Sequence, residues 1–333
     1  GGLRGGGSRL LWFALAGLWM GACFYTYMSG RVVPLIVGAF SAYLVARDLL
    51  RPRAQRPGWR ALAARWWPLL ICFLVAALVM APLVFYLLNR PQDTETPQRE
   101  GQVDYPLSQL LSGNPRPVLQ NAWALLKMWN FDGERYWQLN VSHRPVFVEP
   151  ISGALFWVGA ALVLWRWKEP RCALLAIWVG LGMVPSLLTS EAPSWPRTML
   201  ASPAALAFPG IGALGIMELG NWVLGRRRRT DSPIPNSPIP TPLLAQFPNF
   251  LLSLSLILTA ALTYRDYLVH WPQHPRVRYA FQSSMTEALR HLDRTPDPPP
   301  VVMAGLSPHD MDPWTERATL RRDDLDIRWV EAR

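Results

Sequence analysis

Long apolar runs constrain the structure of this chain more than any other feature of its sequence. Seven stretches of about 15 to 23 residues are almost free of charged side chains, a length that crosses a bilayer as a helix. Only 17% of the residues are charged, against about 25% in soluble domains. We therefore predict an all-α polytopic membrane protein with about seven transmembrane helices, over residues 10–28, 32–46, 66–88, 151–165, 172–189, 198–219 and 249–264.

The basic residues indicate how these helices thread the membrane. The short loops of one side carry fifteen basic residues, whereas those of the other side carry only Arg31 and Arg197. Because basic residues collect in cytoplasmic loops, we predict a cytoplasmic N-terminus and an extracytoplasmic C-terminus in the plasma or inner membrane. The net charge of +10 is then a topology signal and does not indicate nucleic acid as a partner. The fifteen residues are Arg4, Arg9, Arg47, Arg51, Arg53, Arg56, Arg60, Arg65, Arg166, Lys168, Arg171, Arg226, Arg227, Arg228 and Arg229.

Three segments between or after the spans are too long to be simple turns. An outer loop over residues 89–150 is polar and nearly neutral, and a proline-rich cytoplasmic linker over 226–248 repeats Ser-Pro-Ile-Pro and is expected to be extended. The transmembrane region then covers 1–269, followed by a small extracytoplasmic tail domain over 270–333. For that tail we expect short helices, one of them over 283–292, and one or two strands.

Arg31 is the most informative charged residue. It lies in the tight turn between the first two spans, on the side where positive charge is scarce, and a guanidinium at headgroup depth binds phosphate bidentately. Tyr25 and Tyr27 precede it, and their hydroxyls are expected to point to water. Arg197 opens the sixth span on the same side. The two arginines suit one anionic lipid headgroup, and they equally suit unrelated interfacial anchors.

The outer loop holds a second group of candidate residues. Asp132, Arg135 and His143 lie shortly before the fourth span and suit acid/base catalysis or substrate binding, although an ordinary turn explains the same residues. The sequence contains no glycine-rich phosphate loop and no zinc motif, so we predict no cofactor and no metal site, and leave metal dependence open. The span centres lack ionisable side chains, which argues against ion-coupled transport.

Three segments of the chain resemble one family of membrane enzymes. GLWMGACFYTYMSGRVVPL (residues 17–35), RPVFVEPISGALFWVGAALVLWRW (144–167) and PSWPRTMLASPAALA (from Pro193) are similar to segments of bacterial glycosyltransferases. These enzymes belong to the dolichyl-phosphate-mannose protein mannosyltransferase clan, which includes the aminoarabinose transferase of lipid A and shares the GT-C membrane fold. The resemblance implies a C-terminal half of such an enzyme, which moves a sugar from a polyprenyl-phosphate donor to an acceptor on the outer face.

The resemblance also implies roles for individual residues. Arg31, with Tyr27 beside it, occupies the place of the family's basic residue near the donor lipid phosphate, and Arg197 matches an outer arginine near the same cavity. The family's catalytic acid lies in an earlier outer loop, so we expect it upstream of Gly1 and expect this chain to be inactive alone. Two alternatives stay open. One is a non-catalytic carrier or assembly partner in cell-surface polysaccharide export, and the other is a different GT-C relative, such as an oligosaccharide transferase or polymer ligase.

Overall fold

The computed structural model describes residues 4–52, 55–90, 104–230, 241–296, 298–305 and 311–331, and these are mostly helical. The chain divides into two compact units. The first comprises Gly1–Arg135 and Ser142–Ala261, and the second comprises Tyr136–Val141 and Leu262–Arg333. A short piece of the outer loop thus belongs to the same unit as the C-terminal segment.

The described part of the first unit is built from helices, several of which begin at proline. Pro68, Pro150 and Pro170 each stand at the start of a helix, where the missing N–H would have no partner in any case. The helices are α1 (Arg4–Ala22), α2 (Val33–Leu49), α3 (Trp59–Trp66), α4 (Pro68–Asn89), α5 (Asp104–Leu111), α6 (Arg116–Met128), α7 (Pro150–Trp165), α8 (Pro170–Leu187), α9 (Trp195–Thr198), α10 (Ser202–Ala205), α11 (Phe208–Thr230) and α12 (Thr241–Tyr264).

Within the described residues, four helical segments are long and apolar enough to cross a membrane. They are Ser29–Leu49, Trp59–Asn89, Pro170–Leu187 and Trp195–Gly220, and the apolar helix α7 is shorter. On α4 the side chains of Leu70, Leu74 and Leu78 are each more than 60% exposed, and lipid is the solvent that suits such a surface. These features fit a helical membrane protein. The full set of seven spans stays a prediction.

Several helix boundaries differ from those expected from the apolar runs. Helix α1 ends at Ala22, and the remainder of the first predicted span forms 3-10 turns at Cys23–Tyr25 and Met28–Val32. The helix ends there because the backbone N–H and the side-chain hydroxyl of Thr26 both donate to the Cys23 carbonyl. The outer loop contains the helices α5 and α6. Helices α11 and α12 extend into both ends of the predicted linker, of which residues 231–240 lie outside the described residues.

An aromatic core holds the outer loop on the helices. The rings of Trp129 and Phe156 stack with centroids 5.2 Å apart, and Phe156 also lies 4.9 Å from Phe147 and 5.5 Å from Phe208. Two backbone bonds, Val146 N–H to the Met128 carbonyl and Phe147 N–H to the Trp129 carbonyl, join the two ends of the loop segment that lies between them. Residues 130–135 therefore leave, and residues 142–145 re-enter, the same buried core of the first unit.

Two glycines allow α7 and α11 to pack with their backbones in close contact. A β-carbon on Gly159 would lie 1.9 Å from the Phe208 carbonyl oxygen, and one on Gly212 would lie 2.1 Å from the Leu155 carbonyl oxygen. Small residues at a helix interface serve this purpose in membrane proteins. Glu149 immediately precedes α7 and therefore lies at the end of this closely packed pair of helices.

The second unit combines short helices with a two-stranded sheet. Its described elements are α13 (Trp271–Gln273), α14 (Pro275–Ala280), α15 (Ser283–Arg294), β1 (Val301–Gly305), α16 (Met311–Thr319) and β2 (Ile327–Glu331). The two strands pair in parallel, with Val301 opposite Ile327. The predicted helix over 283–292 and the expectation of strands are confirmed. The segment Tyr136–Val141 belongs to this unit through the stacked rings of Trp137 and His274, whose centroids lie 3.6 Å apart.

Candidate functional site

A narrow loop within the first unit carries the candidate site. The Gly133 N–H donates to the His143 carbonyl at 3.2 Å, and the His143 N–H donates to the Glu134 carbonyl at 2.6 Å. Gly133 is required here, because a β-carbon at this position would lie 1.9 Å from the Arg144 carbonyl oxygen. These contacts fix the backbone on both sides of Glu134 and so determine where its side chain points.

Glu134 is a buried carboxyl group with one unmet oxygen. Its residue is only 2% exposed, and the backbone N–H of Trp195 donates a hydrogen bond to the carboxylate. Its Oε2 atom has no hydrogen-bond partner among the described residues. Burial raises the pKa of Glu134 to about 7, and the nearby Glu191 adds to this, whereas the Trp195 N–H and Arg197 oppose it. A buried carboxyl group that titrates near neutrality is typical of functional sites.

Glu149 shows what a structural carboxylate in the same region looks like. It is also 2% exposed, yet both of its oxygens are satisfied. They accept from the N–H groups of Ile151 and Ser152 at 2.6 and 2.7 Å, and from the Ser255 hydroxyl at 2.7 Å. Glu149 therefore caps helix α7. Glu134 lacks such a set of donors, so helix capping does not explain why a carboxyl group is buried at that position.

Arg197, on the short helix α9, lies near Glu134 and has an unsatisfied hydrogen-bond donor. Its Nη1 atom is buried and has no hydrogen-bond partner among the described residues. The guanidinium attracts the Glu134 carboxylate electrostatically, but no direct ion pair joins these two described residues. The helix is held in place by Thr198, fully buried, whose hydroxyl donates to the Ser194 carbonyl at 2.7 Å. The site thus has a free donor and a free acceptor on a rigid frame.

Unsatisfied buried polar atoms are concentrated in the two sequence segments that contain Glu134 and Arg197. Seven buried side-chain nitrogen or oxygen atoms among the described residues lack a hydrogen-bond partner, and five of them lie in residues 130–134 and 190–202. Native proteins leave few such atoms, so their accumulation in two adjoining segments indicates a place that binds water or a ligand. The five belong to Asn130, Glu134, Ser190, Arg197 and Ser202.

The turn that carries Arg31 packs against the element that carries Arg197. Met28–Val32 contacts α8, α9 and the 3-10 turn Met199–Ala201, so the two arginines that sequence placed on the outer face belong to neighbouring segments. Arg31 is half-buried, and within the described part of the chain it forms no hydrogen bond or ion pair. Tyr27 is 49% exposed. Tyr25 is also about half exposed, and its hydroxyl donates to the Val79 carbonyl at 2.8 Å.

The structure brings together two of the three residues predicted in the outer loop. His143 Nδ1 lies 2.6 Å from Asp132 Oδ1, and Lys127 Nζ lies 3.5 Å from Asp132 Oδ2. The hydrogen bond with His143 is the main reason why the pKa of Asp132 is lowered. Arg135 stands apart with an exposed side chain, and its carbonyl accepts from the Ser142 hydroxyl at 2.7 Å.

Glu134 itself was missed as a site residue. It lies between Gly133 and Arg135 in a polar stretch that is typical of an exposed turn, and no periodic pattern marks it as buried. In the folded chain its carboxylate accepts from the backbone N–H of Trp195, which is about 60 residues away in the sequence. Once the fold is known, the nearby Arg197, which was a predicted site residue, also indicates that Glu134 belongs to the site.

The described residues contain no cluster of metal ligands, and the comparisons with known proteins find no match. No group of three or more His, Cys, Asp or Glu side chains lies close enough to hold a metal ion in the part of the chain that the structure describes. No protein-family model matches the chain, and no curated protein and no solved structure is detectably similar to it.

Proposed function

We propose that this chain is the C-terminal portion of an integral membrane glycosyltransferase that uses a polyprenyl-phosphate-linked sugar on the outer face. The proposal is supported by the apolar helices of the first unit, by the buried polar site next to them, and by the resemblance of three sequence segments to GT-C enzymes. In this proposal the seven predicted spans place the N-terminus in the cytoplasm and the C-terminus outside.

The observation that carries the proposal is the packing of the Arg31 turn against the helix of Arg197. A lipid phosphate presents several oxygens, and guanidinium groups bind these through charge-assisted hydrogen bonds. In sugar transfer from such a donor the phosphate is the leaving group. Cations already in place would therefore stabilise the negative charge that develops on it in the transition state. Tyr27, half exposed beside Arg31, would contact the same headgroup.

Contacts at the other end of the helices support the proposed threading. The Tyr43 hydroxyl donates to the Lys168 carbonyl at 2.9 Å, and Arg166 pairs with Glu218 at 2.7 Å. Arg65 pairs with the buried carboxylate of Asp48 at 2.8 Å. These contacts join the loops that contain the clustered basic residues. A shared face for those loops is what the positive-inside rule requires.

The proposal is tested by binding of a polyprenyl phosphate without sugar to the chain in lipid nanodiscs. We expect Arg31→Ala and Arg197→Ala each to weaken binding about tenfold, because each removes a charge-assisted hydrogen bond. Lys168→Ala is the matched control, since Lys168 is an exposed cation at the other end of the helices. If both arginine variants fold and bind the lipid as well as the control, the phosphate site is not there.

Sugar transfer is measured separately with the full-length gene product. A donor whose sugar is released to an acceptor only when Arg31 and Arg197 are intact would support the transferase. Tight donor binding without any transfer by the full-length product would instead support the non-catalytic carrier.

A further inference from the structure

The unmet atoms of Glu134 and Arg197 define the chemistry of a ligand. Glu134 Oε2 needs a donor, and Arg197 Nη1 needs an acceptor. A buried polar atom without a partner costs free energy, and the cost is recovered when a ligand or water supplies the missing hydrogen bond. A single molecule that satisfies both atoms must present a hydroxyl and an anionic or neutral oxygen close to each other.

A sugar joined to phosphate has this arrangement. The phosphate is attached to one ring carbon, and the neighbouring ring carbon, C2, carries a hydroxyl in most hexoses and pentoses. We propose that Glu134 is a positioning and specificity residue that accepts a hydrogen bond from the C2 hydroxyl of the donor sugar, while Arg197 holds the adjoining phosphate. This inference rests on the proposed function and adds to it the part of the sugar that is recognised.

Electrostatics favours a hydroxyl group between the Glu134 carboxylate and the donor phosphate. A carboxylate and a phosphate repel each other, and that repulsion is strong where burial lowers the local dielectric constant. A hydroxyl proton that points to Glu134 keeps the carboxylate satisfied while the phosphate remains with Arg197. An analogue that lacks this hydroxyl would leave the carboxylate buried beside the phosphate without a donor, and sites of this kind reject such analogues strongly.

The surroundings hold the carboxyl group in one orientation. The Trp195 N–H binds the carboxylate, and the backbone pairing of Gly133 and Glu134 with His143 fixes the loop from which it projects. Trp195 is two residues before Arg197, so the same short segment positions the carboxyl group and the guanidinium. A rigid pair of this kind discriminates between ligands without having to be ordered on binding.

The test compares four lipids bound to the chain in nanodiscs. They are polyprenyl phosphate itself and its glucosyl, mannosyl and 2-deoxyglucosyl derivatives. Glucose and mannose differ only at C2, and the deoxy compound is the reference for both. At pH 8, above the Glu134 pKa of about 7, we expect the wild-type chain to bind the glucosyl or the mannosyl lipid about tenfold more tightly than the 2-deoxy lipid, as a hydrogen bond to a charged group predicts.

The variants isolate the role of Glu134. Glu134→Ala should bind the glucosyl or mannosyl lipid and the 2-deoxy lipid with about equal affinity. It should still bind the sugar-free lipid. If Glu134→Ala does not fold, Glu134→Gln replaces it, because the amide oxygen can still accept from Trp195, and the preference should then fall at least about threefold. Glu169→Gln is the matched control, since Glu169 is an exposed glutamate beside Lys168, at the other end of the helices, and should keep the wild-type preference.

The outcomes separate this inference from the proposed function. A wild-type chain without preference for either sugar over the 2-deoxy lipid overturns the role of Glu134, and so does a folded Glu134 variant that keeps the full preference. If the arginine variants leave binding of the sugar-free lipid unchanged, the phosphate site fails instead. Equal affinity for glucose 1-phosphate and for the glucosyl lipid would overturn the lipid-linked donor.

Discussion

Replacing Glu134 by glutamine should stabilise the protein in a way that depends on pH. The folded-state pKa of Glu134 is about 7, and its ordinary value is 4.5. Because the folded protein holds this proton more tightly than the unfolded chain does, the free energy of unfolding falls as the pH rises from about 4.5 to about 7. The shift corresponds to a cost of up to about 3 kcal/mol at pH 8, which Glu134→Gln removes.

The assay is equilibrium unfolding of detergent-solubilised protein, followed by tryptophan fluorescence at pH 5 and pH 8. Glu134→Gln should match the wild type at pH 5 and exceed it at pH 8. Glu149→Gln is the matched comparison, because Glu149 is equally buried but accepts three hydrogen bonds, and it should lose about 1 kcal/mol or more at both pH values. A Glu134→Gln variant with no pH-dependent gain would refute the reasoning.

Three further experiments test the packing of the first unit by the same unfolding assay. Gly159→Ala should destabilise the protein because its β-carbon would meet the Phe208 carbonyl at 1.9 Å, whereas Gly180→Ala, with open space around it, should gain about 0.5 to 1 kcal/mol; equal effects would contradict the α7–α11 packing. His143 has a φ of 61°, so His143→Val should be less stable than His143→Gly by about 1 to 2 kcal/mol, and the reverse order would rule out the left-handed backbone. Asn121→Leu should cost about 1 to 3 kcal/mol, because Asn121 donates to two backbone carbonyls at 2.9 and 2.6 Å, and an unchanged stability would count against these bonds.

Much of the helical architecture could be predicted because apolar run length is a local property of the sequence. The apolar runs predicted helices that the structure contains, and the helix over 283–292 was marked by apolar spacing alone. Helix ends were harder to predict. At Thr26 a competing hydrogen bond to Cys23 ends α1 while the apolar pattern continues, so the pattern could not reveal the end of the helix.

The site could be predicted only in part. Arg31 and Arg197 stood out because isolated cations are rare on that side of the chain, and the structure places their segments next to each other. Asp132 and His143 were found from their residue types, and they do form a pair. Glu134 lies in the same acidic stretch but was not singled out, because its burial and its contact with Trp195 join distant parts of the chain and leave no local signal.

The proposed function requires that Arg31, Arg197 and Glu134 lie on the outer face of the membrane. It is tested by labelling single cysteines in intact cells with a membrane-impermeant maleimide, after the native Cys23, Cys72 and Cys172 have been replaced by alanine. Glu191 and Lys168 are both exposed, so each is a suitable position for one cysteine. This orientation predicts that Glu191→Cys is labelled in intact cells and that Lys168→Cys is labelled only after the membrane is permeabilised. Labelling of Lys168→Cys in intact cells, with Glu191→Cys protected, would contradict it.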